Sequence, residues 1–385
     1  MKRHQSFKFQ LITGVGIERN LRSFSGACRF VYNKALSIQN EAYSSGGKYT
    51  SYNKMASWLK EWKSNPETEW LNDAPSQALQ QSLIDLDKAH KNFFEGRSLP
   101  PKFKKRGSHD SFRVPQKFKI DQENNRISLP KLGWIRYRGS RKVTGEVKNV
   151  TVSQTCGKWY VCIQTEVEVE INPHPSRSMV GLDVGVARLV TLSDGTFYSP
   201  VNSYKSRMKN LARLQKTLSR KVKFSSNWRK QKRKIQLLHF KIFNIRNDYL
   251  NKITTTISKN HAMIVIEDLH VKNMSKSSSC SKSNPGRNIN AKSGLNRSIL
   301  DQGWGELRRK LEYKQAWLGG NLLAIPPAYT SQRCACCGYT SKDNRISQSK
   351  FMCKECGYEE NADTNGARNI LAAGHAVLAC GETVL

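Results

Sequence analysis

The chain has 385 residues, with 64 Lys and Arg against 30 Asp and Glu, for a formal net charge of +34. That length suits two or three domains of about 150 residues, and a field of that sign selects a polyanionic partner, nucleic acid before an anionic membrane surface. No stretch reaches the roughly 18 apolar residues of a spanning helix, Met1–Ser6 leads into no signal-type apolar run, and 14 Phe, 13 Tyr and 8 Trp argue against wholesale disorder.

Ser6–Thr13 alternates enough for a strand. From about Ile17 to Gly96 the pattern is helical: Leu79, Leu83, Leu86, Ala89 and Phe93 recur at three- and four-residue spacing behind Pro75, where a helix can begin. Residues 98–119 read as a basic loop carrying Lys102, Lys104 and Lys105. Short strands are expected at Ile127–Leu129, Trp134–Tyr137, Asn149–Ser153 and Trp159–Val167, the last two straddling the turn Thr155-Cys156-Gly157-Lys158. The first 178 residues thus read as a small β domain with a helical insertion.

The composition changes at Met179. Val180–Thr191 is apolar on both sides of Gly185, and Ser193-Asp194-Gly195 turns the chain into Thr196–Tyr198, which predicts two or three antiparallel strands. Between Ser203 and Lys252 a helical region holds 16 basic residues and one acid, Asp248, with an apolar seam of Ile235, Leu238, Ile242, Ile245, Tyr249 and Ile253. A solvated helix face ordinarily mixes signs. The near absence of acids points instead to a surface that tracks phosphates, densest at Arg229, Lys230, Lys232, Arg233 and Lys234. Ala262–Ile266 suits a buried strand and ends in Glu267-Asp268. Lys272–Lys292, rich in Ser, Lys and Asn, reads as a mobile loop. Gly303–Trp317 returns to helical spacing, Asn321–Ile325 to a strand, and Asp363–Ala373 to a short helix with Ile370 and Leu371 on its apolar side.

Four of the ten cysteines form a pattern. Cys334 and Cys337 are separated by two residues, as are Cys353 and Cys356, with fifteen residues between the pairs. This is the four-thiolate zinc spacing, and Gly338 and Gly357 end the two turns so that backbone amides can approach the sulfurs. Without a secretory signal the thiols should be reduced. Four thiolates close the shell, so such a zinc holds a fold and activates no water. Cys336 is wrongly spaced to chelate and is expected to be an outward or packed thiol; Cys28, Cys156, Cys162, Cys280 and Cys380 have no evident partner.

Three acids stand apart. Asp183 lies within Val180-Gly181-Leu182-Asp183-Val184-Gly185-Val186, Glu267 ends Met263-Ile264-Val265-Ile266, and Asp363 opens Asp363-Thr364-Asn365-Gly366-Ala367-Arg368-Asn369. Each alone has an ordinary explanation, as a residue before a turn, the start of a loop, or a helix cap. A carboxylate inside a buried strand is nonetheless costly unless paired or bound to a cation. Carboxylates converging from separate elements are what two-metal phosphodiester hydrolysis needs. The order of elements fits a ribonuclease-H-like α/β sheet with its site at the strand ends, although spacing alone does not bring the acids together.

These strings resemble the three RuvC-type motifs of TnpB, the family of transposon-encoded RNA-guided nucleases ancestral to type V CRISPR effectors. The resemblance extends to Thr330-Ser331-Gln332-Arg333-Cys334 and its ribbon, to Cys28-Arg29-Phe30-Val31-Tyr32-Asn33-Lys34-Ala35-Leu36, to Pro101-Lys102-Phe103-Lys104 and to Trp159-Tyr160-Val161. It departs at Gly366, where the family usually has alanine, and at the extra Cys336. The resemblance implies an α/β, RNase H-like (RuvC) nuclease core over 179–329 and 361–378 with an inserted four-cysteine zinc ribbon at 330–360. It further implies a β-barrel-like wedge domain over 1–16 and 97–178 and a helical recognition insertion over 17–96. Asp183, Glu267 and Asp363 would bind catalytic Mg²⁺, and Lys102, Lys104, Lys105 and the cluster from Arg229 to Lys234 would meet nucleic acid. The implied partners are a transposon-derived guide RNA, target DNA beside a transposon-adjacent motif, and a separately encoded transposase, with no membrane; the setting would be the prokaryotic cytoplasm, on the nucleoid when DNA-bound. Base pairing would supply specificity while the protein reads backbone shape. The alternatives are a guided DNA-binding repressor without cleavage and a transposase that joins DNA ends on the same fold. Nucleotide hydrolysis is disfavoured, since no phosphate-binding Gly-x-x-x-x-Gly-Lys-Ser/Thr occurs.

Overall fold

In the computed structural model, residues 1–170, 172–277 and 288–380 are described, and they divide into two units, Met1–Glu170 and Ile171–Leu385. The first is organised by β1 (Lys2–Ile12), longer at its start than the sequence suggested. Its alternation buries Phe7, Phe9 and Leu11 on one side. Three helices follow before the next strand: α1 (Val15–Ser44), α2 (Tyr52–Ser64) and, after a 3₁₀ stretch at Pro66–Asp73, α3 (Ser76–Phe94). Then come β2 (Ser111–Val114), β3 (Lys119–Asp121), β4 (Arg126–Leu129), β5 (Gly133–Tyr137), β6 (Glu146–Thr155) and β7 (Lys158–Glu168). The seven strands form one antiparallel sheet in the order β2-β6-β7-β1-β5-β4-β3.

β1 pairs with β7 from Lys2↔Glu168 to Gln10↔Tyr160 and then hands over to β5 at Leu11↔Tyr137. One core joins the inward residues of the sheet, including Trp159, Val161 and Ile163, to Leu21, Phe24, Val31 and Leu36 of α1 and Leu79, Leu83 and Leu86 of α3. Residues 98–119 are not all loop: Ser111–Val114 is an edge strand. Its two inward residues, Phe112 and Val114, are too few to show as a period within a basic segment, and pairing with β6 decides its state.

The second unit centres on a five-stranded sheet of β8 (Met179–Val184), β9 (Val190–Leu192), β10 (Phe197–Tyr198), β11 (Met263–Glu267) and β12 (Asn321–Ile325), in the order β10-β9-β8-β11-β12. β8, β11 and β12 run parallel, and β9 and β10 antiparallel. The basic region is a helical hairpin, α4 (Met208–Ser219) and α5 (Ser226–Asn260). At 35 residues α5 is about 50 Å long. The expected seam is present, buried at Ile242 and Ile253 and half-buried at Ile235, Leu238, Ile245 and Tyr249, and burial is densest where Leu250 and Ile257 join Ile253.

The expected loop at Lys272–Lys292 has its middle, 278–287, outside the described residues. Its flanks are helical, in α6 (Val271–Met274) and α7 (Ile289–Gln302). Lys292 Nζ donates to the Met274 carbonyl at 2.8 Å and Asn296 Nδ2 to that of Ser275 at 3.1 Å, while Ile299 is buried. Tertiary contacts thus hold a helix that a polar composition concealed. α8 (Trp304–Leu318) precedes β12, a two-stranded ribbon of β13 (Lys350–Met352) and β14 (Glu359–Asn361) follows, and α9 (Ala362–Ala379) closes the unit. No helix among the described residues is long and apolar enough to cross a membrane.

β11 is apolar on both sides because it is covered on both. Ile264 and Ile266 pack with Val180, Leu182, Leu250, Trp304 and Leu311, whereas Met263 and Val265 pack with Leu323, Ile325 and Ile370 of α9. On β8 the same parity turns Gly181 and Asp183 toward α9. A Cβ on Gly181 would run into the Ala367 carbonyl oxygen and lie 2.7 Å from the Leu371 nitrogen. Gly181→Ala should therefore force α9 away from the sheet and lower stability by at least about 1–3 kcal/mol. An unchanged midpoint in urea denaturation would show that the helix is not seated this closely.

Candidate active site and cysteine cluster

Strand parity brings the three acids to one place. Asp183 shares a face of β8 with Gly181, Glu267 shares a face of β11 with Met263 and Val265, and α9 covers that face beginning at Asp363. The last paired residues of the parallel strands are Ile266 and Leu182, so Glu267 falls one step on, abreast of Asp183. All three line a cavity of about 270 Å³ at the ends of these strands, together with Thr330, Arg345 and Gly366. Open α/β sheets place their ligands at this end.

The electrostatics follow from the crowding. Burial, then the charges of Glu267 and Asp363, push the Asp183 carboxyl up to about 8, against the opposing pull of Arg345 and the Val184 amide. Burial also raises Glu267, partly offset by the Thr330 hydroxyl, which donates to Glu267 Oε1 at 2.5 Å. Arg345 Nη2 stands 3.9 Å from Asp363 Oδ1. The donor set fits hard cations: oxygen ligands that repel one another until a positive charge is shared.

α9 is fixed at its start. Asn361 caps it, accepting from the Asp363 amide at 3.1 Å. Asn365 Nδ2 donates to the Arg333 carbonyl at 2.8 Å while its Oδ1 accepts from the Ala335 amide at 2.9 Å. Asn369, one turn on, donates to the Thr330 and Arg333 carbonyls at 2.9 and 2.6 Å. Thr330 thus ties Glu267 to the helix that carries Asp363. Sequence reasoning assigned no role to Thr330, Arg345, Asn365 or Asn369. The four-residue spacing of the two asparagines is a signal that was present; Arg345 sits in a polar stretch, Ser341–Ser349, that gave none.

Cys334, Cys337, Cys353 and Cys356 are the one group among the described residues whose candidate ligand atoms all lie within 4.8 Å of one another. Their sulfurs are 3.7 Å apart for Cys334 and Cys356 and 3.6 Å for Cys337 and Cys353. Sulfurs about 2.3 Å from a common centre in a tetrahedron stand about 3.8 Å apart, so the cluster fits a zinc-sized ion. The two turns repeat one pattern: the Cys334 and Cys353 amides donate to the Tyr339 and Tyr358 carbonyls, and the Gly338 and Gly357 amides return to the Cys334 and Cys353 carbonyls. Both glycines have positive φ, +79° and +69°. Cys336 is exposed.

The basic candidates fall in separate units. Lys102, Lys104 and Lys105 line a cleft of about 340 Å³ with Arg29 and His109. Lys104 is pinned to α1 through Asn33, whose side chain accepts from its amide at 2.8 Å, and its Nζ lies 3.8 Å from the centroid of the Tyr32 ring. Arg229, Lys230, Lys232, Arg233 and Lys234 lie along the first turns of α5.

The chain is similar to known proteins over most of its length. Residues 162–278 match the OrfB_IS605 family, described as "Probable transposase", and residues 304–370 match the Cas12f1-like TNB domain. Residues 1–48 match a family described as a helix-turn-helix domain, although the structure forms one strand and one 30-residue helix there. The chain is 69% identical to the Escherichia coli K12 protein named RNA-guided DNA endonuclease InsQ, over 100% of this chain and 96% of that one. It is 34% identical to a Streptomyces pristinaespiralis protein named RNA-guided DNA endonuclease, over 99% and 92%. Over 55% of this chain and 50% of the relative it is 29% identical to the CRISPR-associated endodeoxyribonuclease Cas12f1 of Sulfoacidibacillus thermotolerans.

The raised Asp183 carboxyl has a consequence without any metal. Between its unfolded value near 3.8 and its folded value of about 8 the folded chain holds a proton that the unfolded chain has released. Metal-free stability therefore falls as pH rises through that window. In chelator, Asp183→Asn should melt higher than the parent at pH 8, and the difference should vanish toward pH 4. Equal midpoints at both pH values would mean that burial and the neighbouring charges do not hold the Asp183 proton as described.

Proposed function

This chain belongs to the TnpB family, and we propose from that premise that it is an RNA-guided DNA endonuclease of an insertion sequence, cutting target DNA by metal-assisted phosphodiester hydrolysis. The observation that carries the reading is the meeting of Asp183, Glu267 and Asp363, from β8, β11 and α9, in one cavity beside Arg345. The fold is read as an RNase H-like core over 179–329 and 361–378, with a zinc ribbon at 330–360. It is further read as a wedge over 1–16 and 97–178 carrying a recognition insertion at 17–96. The interruption of the seven-stranded sheet by α1–α3, between β1 and β2, supports the last division.

Asp183, Glu267 and Asp363 would hold Mg²⁺, which when bound supplies a Lewis acid for the phosphoryl oxygens and lowers the pKa of a bound water. The chain does the positioning. Thr330 fixes the rotamer of Glu267 through its hydroxyl, and Asn361, Asn365 and Asn369 fix the helix that presents Asp363. Arg345 brings a guanidinium to the edge of the cavity, where it can meet the negative charge that grows on a phosphate during cleavage. The four cysteines would hold Zn²⁺ as a structural ion, since no open ligand position remains. A guide RNA and its DNA target would be held through phosphates by the acid-poor surfaces, with sequence read by base pairing.

Replacing Asp183, Glu267 or Asp363 by Ala should abolish Mg²⁺-dependent cleavage while leaving guide-RNA and target binding largely intact, because metal ligands act on the transition state and affinity comes from the basic surface. Cleavage assays with electrophoretic binding controls decide it, and an active Glu267→Ala enzyme would remove that residue from the site. Metal analysis tests the ribbon: Cys353→Ser should lose zinc and, through Asn365 and Asn369, loosen α9, whereas Cys336→Ser should keep full zinc content. Zinc loss in the Cys336 variant would overturn the ligand set.

A further inference from the structure

The α4–α5 hairpin turns through residues 220–225, and it carries aromatic side chains where a solvated turn needs none. Phe224 is 62% exposed and sits at φ +67°, a left-handed conformation that a bulky residue seldom adopts. Its ring centroid lies 5.4 Å from that of Trp228 at an interplanar angle of 59°. Lys223 Nζ stands 5.3 Å from the centroid of the Phe224 ring and Lys232 Nζ 4.9 Å from that of Trp228. Ser225 caps α5, accepting from the Trp228 amide at 3.2 Å. Packing of the residue before the cap against the first turn accounts for the contact between the two rings. It does not account for a Phe ring left mostly in water.

The surroundings restrict the partner. Between Asp194 and Asp248 the sequence contains no acid. A basic protein is repelled, and the partner must be an anion with flat apolar faces. A duplex hides its base faces within its own stack and offers phosphates, for which the lysines and arginines alone suffice. Aromatic side chains gain a partner only where bases are unstacked, as in single-stranded RNA.

We propose that the tip of the α4–α5 hairpin is a stacking platform for an unpaired base of the guide RNA, with Phe224 and Trp228 taking the base and Lys223 and Lys232 the adjoining phosphates. The proposal rests on the nucleic-acid reading above and adds to it a contact that phosphate binding does not supply. A phosphate contact responds to salt, and a stack responds to the presence of the base.

The test uses the full chain and three probes: a short single-stranded RNA of mixed sequence, an abasic RNA with the same number of phosphates, and single-stranded DNA of the same sequence. Phe224→Leu keeps an apolar residue against Trp228 and removes the flat ring. It should weaken RNA binding by roughly five- to a hundredfold, with the slope of log affinity against log salt unchanged. Binding of the abasic RNA should not change, and Phe224→Trp should bind RNA as the parent does. Combined Arg229→Ala, Arg233→Ala and Lys234→Ala should flatten the salt slope for both RNAs while preserving the ratio between them. An unchanged slope in that variant would defeat the phosphate reading and leave the stack to be judged by the abasic comparison. Three results overturn the platform: parent-like RNA affinity in Phe224→Leu, an equal loss on abasic RNA, or a loss confined to DNA. If Phe224→Leu also lowers the melting midpoint, Phe224→Trp decides: parent-like affinity sustains the stack, and affinity at the level of Phe224→Leu overturns it.

Discussion

The burial of Asp183 beside two further carboxylates, Glu267 and Asp363, is the constraint around which the second unit is arranged. Asp183 is buried enough, and close enough to Glu267 and Asp363, that its proton is retained to about pH 8. Such a cluster persists only if the surrounding elements hold it by other means, because each carboxylate alone would move toward water. The holding elements are specific. A parallel pair of strands fixes two of the acids abreast, and a helix seated on Gly181, with its own Gly374 against β11, fixes the third; a Cβ on Gly374 would stand 2.5 Å from Val265 Cγ2. The burial that makes the site costly also makes it responsive to a cation, since a low-dielectric cavity strengthens every charge–charge term within it.

The ribbon and the site are mechanically one object. β14 runs into α9 without a linker, so Cys356 and Asp363 are separated by one short strand. Asn365 and Asn369 bond back to the carbonyls of Thr330 and Arg333, just ahead of the first cysteine pair. Arg345, which lies between the two cysteine pairs, lines the same cavity. The cysteine cluster and the cavity thus share one stretch of chain, from which Arg345, Thr330 and the start of α9 are presented.

The basic hairpin obeys a different physics. Between Asp194 and Asp248 the sequence holds no acid, so few of its cations have a local partner; Arg246, 4.0 Å from Asp301, is one that finds an acid elsewhere in the chain. The apolar anchor of α5 is concentrated near its C-terminal end, at Leu250, Ile253 and Ile257, which leaves the charged turns near Arg229 exposed. Affinity without sequence information is what such a surface supplies, and in a guided nuclease sequence information resides in the base pairs.

The sequence by itself determined the chemistry. Cysteine spacing named the four thiols that cluster, the apolar run Met263–Ile266 marked a strand buried on both faces, and the motif strings singled out Asp183, Glu267 and Asp363. These features are local: two residues between thiols and a period of two along a strand are fixed by covalent geometry. Sequence was silent on contacts whose partners lie far apart in the chain. Ser111–Val114 becomes a strand because β6 is beside it, and Ile289–Gln302 becomes a helix because Met274 and Ser275 accept its side chains. Thr330 acquires its role from Glu267, 63 positions away, and Arg345 from Asp363. The tertiary structure alone decided that the two strand acids and the acid of α9 meet at one face of one sheet, because strand register and the seating of α9 on glycine are relations between elements that no single segment encodes.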